Sequence, residues 1–341
     1  MFKEVFKAYK IKSSTPDFSE VLDFDEISAD DDRVRSKKLS DLSGCMLGVK
    51  PFREWQCYEL VNRVGLLYIK NPFTNQGQRY WLARCIQDYS KSPNVVNLSI
   101  NNFDKMEIED WWKSLQNCKD IDRKKKLKSA MRWSTLGYHH DWDTKVYSEK
   151  KKNKFPTDLA DLSSYFAKAL GFGSYSAEAA IVNYYPIGTT LAGHTDHSEA
   201  DLEAPLFSFS FGQKAIFLIG GPSKEEKPTA LFLKSGDVVI MSKESRLCYH
   251  AVPRVMKCNY EPWNSINSKE CIIDDFNFNG SELSNSKRIK LDNEIESGSI
   301  NMNLWNQCSD EEFWSSFNLY LKDSRININV RQVLKEGQSS L

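Results

Sequence analysis

Hydrophobic and polar residues alternate in short stretches through the second half of the chain. From Ala177 onward, apolar residues recur at every second position in segments rich in β-branched and aromatic residues and separated by Gly, Pro and Asp. Successive side chains of a strand point to opposite faces, so this period indicates half-buried strands. The pattern predicts a β-sandwich or barrel over residues 177–334. The strand segments are AEAAIVNYY, APLFSFSFG, KAIFLIGG, TALFLKSGDVVIM, RLCYHAVPRV and RININVRQVL.

The first half of the chain has a helical period instead. Residues 51–176 contain amphipathic segments such as QGQRYWLARCIQDYS and EIEDWWKSLQ, which predict a helical buttress in front of the β unit. Residues 1–50 form an extension in which FKEVFKAYK places its apolar residues on one helical face, followed by a charged, serine-rich tract. This extension either docks on the domain or stays mobile. Residues 335–341 are a short tail.

A polar insertion interrupts the β unit at about residues 259–302. It is rich in Asn and Ser and has no hydrophobic period, which predicts a disordered surface loop. Its basic cluster SKRIKLD is either a nuclear import signal or an ordinary charged loop. The basic amphipathic start MFKEVFKAYK favours a mitochondrial location instead, although Glu4 weakens that signal. We therefore expect the protein in the nucleus, the mitochondrion or both, with the cytoplasm as an alternative.

Length and composition are those of a globular protein. The 341 residues are 40% hydrophobic and 12% aromatic, enough to bury the core of one elaborated domain or two modest ones. No run approaches the roughly 18 to 20 apolar residues that cross a bilayer, and the start lacks the apolar core of a secretory signal. We expect an intracellular protein without a membrane partner. The eight cysteines include no C-x-x-C pair, which argues against a zinc module and against a disulfide framework.

The stretch LAGHTDHSEAD contains a candidate metal site. His194 and Asp196 are two positions apart and point the same way in an extended segment, whereas His197 points away. Two histidines and one carboxylate bind Fe(II) in non-haem oxygenases and leave positions open for a cosubstrate and O2. His250 lies 56 residues after His194 (250 minus 194) in a strand-like segment, close enough for a returning strand to supply the third ligand. Its alternative role is a hydrogen-bonded core histidine.

The segment RININVR is a candidate cosubstrate site. Arg325, Asn327, Asn329 and Arg331 share one face of the predicted strand, and the apolar residues share the other. An edge strand with one wet face gives the same alternation, but Asn is a poor strand former, which favours a polar row facing inward. Two buried guanidinium groups need carboxylate partners. A dicarboxylate such as 2-oxoglutarate provides them, with Asn183 and Tyr185 of NYYP as further donors on one face.

These segments together resemble the AlkB family of Fe(II)- and 2-oxoglutarate-dependent dioxygenases. The resemblance rests on NYYPIGTTLAGHTDHSE, LFSFSFGQKAIFLIGG, SGDVVIMSKESRLCYHAVPRV and RININVRQVL, and it covers about residues 51–334 without the insertion. The flanking RWSTLGYHHDWDTKVYS and NPF are similar to the AlkB homologue 1 branch. The resemblance implies a mixed α+β fold, with a double-stranded β-helix (jelly roll) core and an N-terminal helical buttress.

The resemblance also implies a role for each motif residue. Fe(II) is expected on His194, Asp196 and His250, and these three are the expected catalytic residues. Arg325 and Tyr185 are expected at the distal carboxylate of 2-oxoglutarate, and Arg331 and Asn183 near the end that binds iron. The implied cosubstrate contacts are Asn183, Tyr184, Tyr185, Arg325, Asn327, Asn329 and Arg331, where Asn329 replaces a Thr common in the family. O2 is the implied oxidant, and ascorbate is expected to support turnover.

A basic run followed by aromatic residues is the candidate substrate surface. The lysines of DRKKKLKSAMR form either a solvated helix face or a phosphate-binding surface, and the Trp and Tyr residues of MRWSTLGYHHDWDTKVY either belong to the core or stack on an unpaired base. Resemblance to the nucleotide-recognition lid of the family favours substrate contacts for Trp133, Tyr138, His139, His140 and Asp141, and more weakly for Trp112. Glu199 either orients the substrate or caps a turn.

The chain is accordingly predicted to be a dioxygenase that oxidises methylated bases in nucleic acid. The resemblance implies 1-methyladenosine and 5-methylcytosine in tRNA as substrates, with N6-methyladenine in DNA as a further candidate. An enzyme of the same chemistry that acts on a protein is the alternative, and a catalytically silent RNA-binding module is a third. The basic run disfavours the protein substrate, and the complete ligand set disfavours the silent module. No obligate protein partner is predicted.

Overall fold

The fold is built on two antiparallel β-sheets that face each other. The computed structural model describes residues 1–28, 30–39, 45–265, 295–296 and 299–341. Within these ranges the larger sheet has nine strands in the order β1-β3-β4-β12-β9-β15-β7-β6-β5, and the smaller has four in the order β11-β10-β13-β8. A short parallel pair, β2 with β14, lies apart from both. This arrangement agrees with the predicted jelly roll.

The strands of the larger sheet, in chain order, are β1 (Val34–Ser36), β3 (Gln56–Leu60), β4 (Leu66–Lys70), β5 (Val95–Val96), β6 (Trp133–Gly137), β7 (Ala179–Pro186), β9 (Leu206–Gly212), β12 (Val238–Met241) and β15 (Ser324–Arg331). The smaller sheet contains β8 (Leu191–His194), β10 (Lys214–Ile219), β11 (Thr229–Leu233) and β13 (His250–Met256). The separate pair is β2 (Cys45–Met46) and β14 (Ile295–Glu296).

The helices lie mainly before the central strands and after the insertion. They are α1 (Phe2–Lys10), α2 (Asn75–Ala83), α3 (Lys105–Glu109), α4 (Trp111–Asn117), α5 (Ile121–Ala130), α6 (Thr157–Leu170), α7 (Met302–Gln307) and α8 (Glu311–Leu321). A π-helical turn, Arg84–Asp88, continues α2. Among the described residues, the helices are too short or too polar for a bilayer crossing.

Alternation along the strands separates the molecule into layers. The apolar face of β15 (Ile326, Ile328 and Val330) is completely buried in a core shared with the helices. The opposite face of the larger sheet packs on the smaller sheet, through residues such as Tyr68 and Phe217. Since side chains on a strand alternate, the polar residues of RININVR face this second, inter-sheet layer. The prediction of an inward-facing polar row is confirmed.

The predicted helical segment contains strands that the hydrophobic period did not show. β3 and β4 form a hairpin that pairs with β12 and extends the larger sheet, and β5 and β6 extend its other end. The run LLYIK of β4 is nearly all buried, so it shows no alternation, and a short apolar run of this kind is ambiguous between helix and strand.

The segment EIEDWWKSLQ is two helices rather than the single helix that its period predicts. Asp110 leaves the helical region, with φ −146° and ψ 82°, and its carboxylate accepts a hydrogen bond from the backbone N–H of Lys113 at 3.1 Å. An aspartate in this position caps the start of a new helix. The break turns α4 relative to α3.

The N-terminal extension docks on the smaller sheet through α1. Phe2 and Tyr9 are buried there against residues of β10, β11 and β13. The guanidinium of Arg254, on β13, donates to the carbonyl of Tyr9 at 3.2 Å. Of the two alternatives for this helix, the structure shows docking.

The first residues of the predicted polar insertion pack on the helical part of the fold. Pro262–Asn264 forms a 3-10 turn, and Trp263 within it is completely buried beside α2, where its carbonyl accepts from Nε of Arg79 at 2.7 Å. The tryptophan has no apolar neighbour in the sequence that would mark it as a core residue. The basic cluster SKRIKLD, at residues 286–292, lies outside the described residues, and localisation stays a prediction.

Candidate iron and cosubstrate site

Two strands of the smaller sheet bring the histidines of the motif together. His194 ends β8 and His250 begins β13, and the two residues are paired across the strands, with ring centroids 4.3 Å apart. Asp196 follows β8 directly. One ligand atom from each of His194, Asp196 and His250 lies within 4.8 Å of the others. Two imidazoles and one carboxylate converging in this way form a donor set suited to Fe(II).

Hydrogen bonds orient both rings for a metal. Nδ1 of His194 lies 3.0 Å from the carbonyl of Ala192, and Nδ1 of His250 lies 3.2 Å from the carbonyl of Cys248. A carbonyl only accepts, so Nδ1 carries the proton in each ring and Nε2 is left with a free lone pair. Nε2 of His250 is 3.7 Å from Asp196. Burial lowers the pKa of His250 to about 4, so this ring is neutral at pH 7, as a metal ligand must be.

Asp196 is an ionised carboxylate held by an arginine. Burial acts to raise the pKa of Asp196, but the positive charge of the neighbouring arginines, Arg331 foremost and then Arg246, outweighs it and holds the pKa well below its usual range. Nη2 of Arg331 donates to Oδ2 of Asp196 at 2.9 Å. This contact leaves Oδ1 facing His194, at 4.0 Å from its Nε2. The carboxylate is therefore both charged and fixed in direction.

A small cavity between the sheets opens next to His250. It is lined by Tyr185, Leu191, Leu206, Ser208, Phe217, Leu233, Met241, His250, Val252, Arg325, Asn327 and Asn329. Six of these twelve residues are apolar, and the polar ones are His250 of β13 and side chains of β7, β9 and β15. A ligand in this cavity would extend from the histidine cluster to Arg325.

Arg325 is the group that most clearly calls for an anionic ligand. Its side chain is 1% exposed. Nη2 donates to the hydroxyl of Ser210 at 3.0 Å, but Nε and Nη1 have no hydrogen-bond partner among the described residues. Burial lowers its pKa to about 10, which leaves the guanidinium charged at pH 7. A buried cation with free donors in a cavity fits a carboxylate, which binds a guanidinium through two oxygens.

Comparison with known proteins decides the family of this site. Residues 65–331 match the family model described as the 2OG-Fe(II) oxygenase superfamily. The chain belongs to this superfamily. It is 37% identical to the nucleic acid dioxygenase ALKBH1 of Mus musculus over 99% of this chain and 85% of that protein. It is 35% identical to the tRNA demethylase abh1 of Schizosaccharomyces pombe over 75% of this chain and 85% of that protein. It is 31% identical to the DNA N(6)-methyladenine demethylase ALKBH1A of Arabidopsis thaliana over 80% of this chain and 76% of that protein.

Membership of the 2OG-Fe(II) oxygenase superfamily makes the chain a 2-oxoglutarate-dependent dioxygenase, with Fe(II), 2-oxoglutarate and O2 as its cofactors. The residues fit these groups. The histidine and aspartate cluster has the donor types of an iron site, and the unpartnered donors of Arg325 fit a distal carboxylate. The structure thus has a place for the metal and for the dicarboxylate in one continuous site.

The other predicted cosubstrate residues lie around this site with one exception. Tyr185 is paired with Arg325 across β7 and β15, and Asn183 is paired with Asn327. Directly paired residues point to the same face, so all four project between the sheets. The amide of Asn327 already donates to the hydroxyl of Ser208 at 2.9 Å. Asn327 therefore shapes the cavity wall, with its amide nitrogen engaged by the protein.

Tyr184 is the exception, and the prediction for it is wrong. It alternates to the other face of β7, where it is completely buried beside Trp111. Its hydroxyl donates to the carbonyl of Cys85 at 2.7 Å. The period of two along NYYP separates the tyrosines: Tyr185 lines the cavity, and Tyr184 packs the helices onto the sheet.

Three aromatic side chains form a surface beside the site. Trp133 is paired with Asn183 across β6 and β7 and so shares the face of the cosubstrate residues. Its ring lies 5.2 Å from that of Trp142, which is 40% exposed, and Trp142 lies 4.7 Å from His140. Nε2 of His140 is hydrogen-bonded to the hydroxyl of Ser198, two residues after Asp196, at 3.0 Å. We call Trp133, His140 and Trp142 the aromatic surface.

Trp112 and Tyr138 have structural roles, which corrects their prediction as substrate contacts. Trp112 is buried and stacks on Phe317 of α8 at 5.1 Å, which joins two helices in the core. Tyr138 is also buried, and its hydroxyl bonds to Glu149 within its own loop. The core alternative is the one that the structure shows for both.

His139 and Asp141 likewise shape the loop rather than contact a substrate. His139 is buried, with Nδ1 on the hydroxyl of Thr135 and Nε2 on the amide of Asn153, each at 2.8 Å. The carboxylate of Asp141 accepts from the backbone N–H of Thr144 at 3.0 Å and pairs with Lys151 at 2.8 Å. The ion pair with Lys151 and these backbone bonds lower the pKa of Asp141. Both side chains therefore have their partners within the loop or in β6, the strand that leads into it.

The predictions from sequence did not include Arg246, gave Glu199 no definite role, and counted Tyr147 only among the aromatic residues that either stack on a base or belong to the core. Glu199 is buried and pairs with Arg246 at 2.8 Å and with Arg331 at 3.2 Å, and Tyr147 donates to it at 3.1 Å. Arg246 precedes His250 by four residues, and Glu199 follows Asp196 by three. Their closeness to the ligands in sequence was the available signal, but charged residues in loops are common, and no spacing rule pairs them.

Proposed function

We propose that this dioxygenase oxidises methylated bases in nucleic acid, with Fe(II) held by His194, Asp196 and His250. The observation that carries the proposal is the continuity of the site: the ligand cluster opens into the cavity in which Arg325 has unpartnered donors. When bound, iron with 2-oxoglutarate and O2 supplies the oxidation of a methyl group, with succinate and CO2 as coproducts. A methyl group attached to nitrogen becomes a hydroxymethyl group, which then leaves as formaldehyde.

Different residues of the chain bind the two ends of 2-oxoglutarate. Arg325 and Tyr185 take the distal carboxylate of 2-oxoglutarate at the closed end of the cavity, because Arg325 is the buried cation there. Arg331 lies at the iron end, where it fixes Asp196. Asn183 and Asn329 complete the polar face between these two ends. The apolar walls exclude water from the space between them.

Support for a nucleic-acid substrate comes from the surface next to the iron site. The aromatic surface exposes Trp142 for stacking with a base removed from its helix. The helix α5, with its lysines, ends directly before Trp133, the first residue of β6. Phosphate contacts on one side and a stacking platform on the other are what such a substrate needs. The names of the relatives include both tRNA and DNA demethylases.

Between these substrates we propose tRNA carrying 1-methyladenosine. The experiment is formaldehyde release under Fe(II), 2-oxoglutarate and ascorbate from a 1-methyladenosine tRNA stem-loop, a DNA strand with N6-methyladenine, and unmethylated copies of both. The proposal expects release from the methylated RNA that exceeds release from the DNA, and that weakens steeply as salt rises. Release from neither methylated strand, with 2-oxoglutarate still consumed, would contradict a nucleic-acid substrate and favour a protein one.

A further inference from the structure

Glu199 is a buried carboxylate that joins three parts of the molecule. Its Oε2 accepts from Nη2 of Arg246 at 2.8 Å, and its Oε1 lies 3.2 Å from Nε of Arg331 and 3.1 Å from the hydroxyl of Tyr147. The side chains of Glu199 and Arg246 are each 2% exposed. A buried carboxylate with charged partners on both oxygens is held in one position, because losing either partner would leave a buried charge unpaired.

Both arginines that hold Glu199 also hold Asp196. Nη1 of Arg246 donates to the backbone carbonyl of Asp196 at 2.8 Å, and Nη2 of Arg331 donates to its carboxylate at 2.9 Å. Two carboxylates and two guanidinium groups therefore form a closed, neutral cluster. We call these four residues, Asp196, Glu199, Arg246 and Arg331, the charge cluster. Within this cluster, Glu199 pairs with Nε of Arg331. This pair orients the guanidinium so that its Nη2 points at Asp196.

Tyr147 connects the charge cluster to the loop that carries the aromatic surface. This loop runs from residue 138 to residue 156, between β6 and α6. The hydroxyl of Tyr147 donates to Glu199, and the Tyr147 ring packs edge-on against His140 at 5.4 Å. His140 in turn contacts Trp142 and Ser198. Trp142 thus lies two contacts from Tyr147, through His140, and three contacts from Glu199.

We propose that Glu199 is a positioning residue that holds Arg331 at the iron end of the site, and that Tyr147 makes this position depend on the loop. A seated substrate would order the loop, fix Glu199 through Tyr147, and favour the arrangement of Arg331 that 2-oxoglutarate needs. Binding of the two substrates is then coupled, and the coupling is reciprocal. This inference rests on the proposed function, since it takes the loop to be the substrate surface.

The first test uses Tyr147→Phe, which removes one hydroxyl and leaves both arginines on Glu199. The matched control is Tyr138→Phe, which removes a hydroxyl that bonds to Glu149 in the same loop and does not reach the charge cluster. Hydrogen exchange of the protein without ligands is measured first. We expect faster exchange of the backbone at residues 194–201 in Tyr147→Phe only. The second measurement is the factor by which the methylated stem-loop stimulates succinate release, which we expect to fall about fivefold to tenfold in Tyr147→Phe.

The second test uses Glu199→Gln, which keeps an oxygen for Tyr147 but removes the charge that holds Arg331. Calorimetry with Mn(II) in place of Fe(II) gives the dissociation constant of 2-oxoglutarate directly. We expect it to rise about tenfold or more, because Arg331 loses the charge of its buried ion-pair partner Glu199, while Tyr138→Phe stays at the wild-type value. If Glu199→Gln does not fold, Tyr147→Phe carries the test alone.

The outcomes separate the two proposals. Wild-type exchange and wild-type stimulation in Tyr147→Phe would overturn the link through the loop, and a wild-type dissociation constant in Glu199→Gln would overturn the positioning of Arg331. A wild-type enzyme that releases succinate but is not stimulated by methylated RNA or DNA would contradict the proposed function instead. The calorimetry and the hydrogen exchange would still decide the role of Glu199 in that case, because neither requires a substrate.

Discussion

Arg325→Met is the substitution that separates a cosubstrate role from a structural one. Methionine has a similar length but no charge, so it fills the space of the arginine and removes its donors. Two guanidinium nitrogens of Arg325 are buried without a hydrogen-bond partner in the part of the chain that the structure describes. We therefore expect the Met variant to be at least as stable as the wild type, and to lose the affinity for 2-oxoglutarate.

The size of both effects follows from the burial of the cation. Burial lowers the pKa of Arg325 from 12.5 to about 10, and one pKa unit is about 1.4 kcal/mol, so the charged form is destabilised by about 3.5 kcal/mol (2.5 times 1.4). Replacing a poorly paired buried charge by an apolar group is neutral or stabilising by roughly 1–4 kcal/mol. A carboxylate bound through two charge-assisted hydrogen bonds contributes about 3–4 kcal/mol, or roughly 100-fold to 1,000-fold in the dissociation constant.

The assay is thermal unfolding with Mn(II), with and without 2-oxoglutarate, together with calorimetry of 2-oxoglutarate binding. Arg79→Met is the matched control, since Arg79 is equally buried but its Nε and Nη1 donate to the carbonyls of Trp263 and Cys308 at 2.7 and 3.2 Å, and its Nη2 pairs with the carboxylate of Glu311 at 2.8 Å. We expect the control to lose stability and keep its affinity. Unchanged 2-oxoglutarate affinity in Arg325→Met, or a loss of several kcal/mol of stability without ligand, would refute the reasoning.

Three further substitutions test the assignments around the site. In Tyr184→Phe, loss of the hydrogen bond to the carbonyl of Cys85 lowers the free energy of unfolding by about 1 kcal/mol and leaves the KM for 2-oxoglutarate unchanged. A raised KM would show that Tyr184 does contact the cosubstrate. Trp142→Ala keeps wild-type stability because the ring is exposed, and raises the KM for the methylated RNA about tenfold, as loss of one base stack predicts; an unchanged KM would exclude stacking there. Burial raises the pKa of Asp237 from 3.8 to about 7. The folded protein therefore keeps a proton that the unfolded chain releases between these values, and stability falls as pH rises through this window, by up to about 4 kcal/mol. Urea unfolding at several pH values should show this fall reduced in Asp237→Asn, and an equal fall in the variant would refute the assignment.

The hydrophobic period of the sequence predicted those strands that have one polar and one apolar face. The alternation of RININVR fixed which residues of β15 face the helices and which face the cavity, because a strand has a strict period of two. The same rule fails for LLYIK in β4, which is buried on both faces. It also fails at Trp263, whose burial depends on α2, a helix almost two hundred residues earlier in the chain.

The sequence predicted the site residues that belong to short motifs. It did not predict the roles of residues that meet only through contacts between distant loops. The spacing of His194 and Asp196 required only extended backbone, and His250 was the remaining histidine in a strand-like segment. The aromatic residues had no such constraint. Trp112 and Tyr138 lie near the basic run in sequence, yet both pack inward, since tertiary contacts decide the direction of a large ring. The role of Glu199 is visible only in the structure, where it pairs with Arg246 and Arg331.

The most direct test of the account is succinate release in the presence of Fe(II), 2-oxoglutarate and O2 for His194→Ala and His197→Ala. The two histidines lie three residues apart, but His194 faces Asp196, whereas His197 is exposed and bonded within its own turn to Thr195. We expect His194→Ala to lose iron binding and succinate release, and His197→Ala to keep both. Succinate release retained in His194→Ala, or lost equally in the two variants, would contradict the iron site.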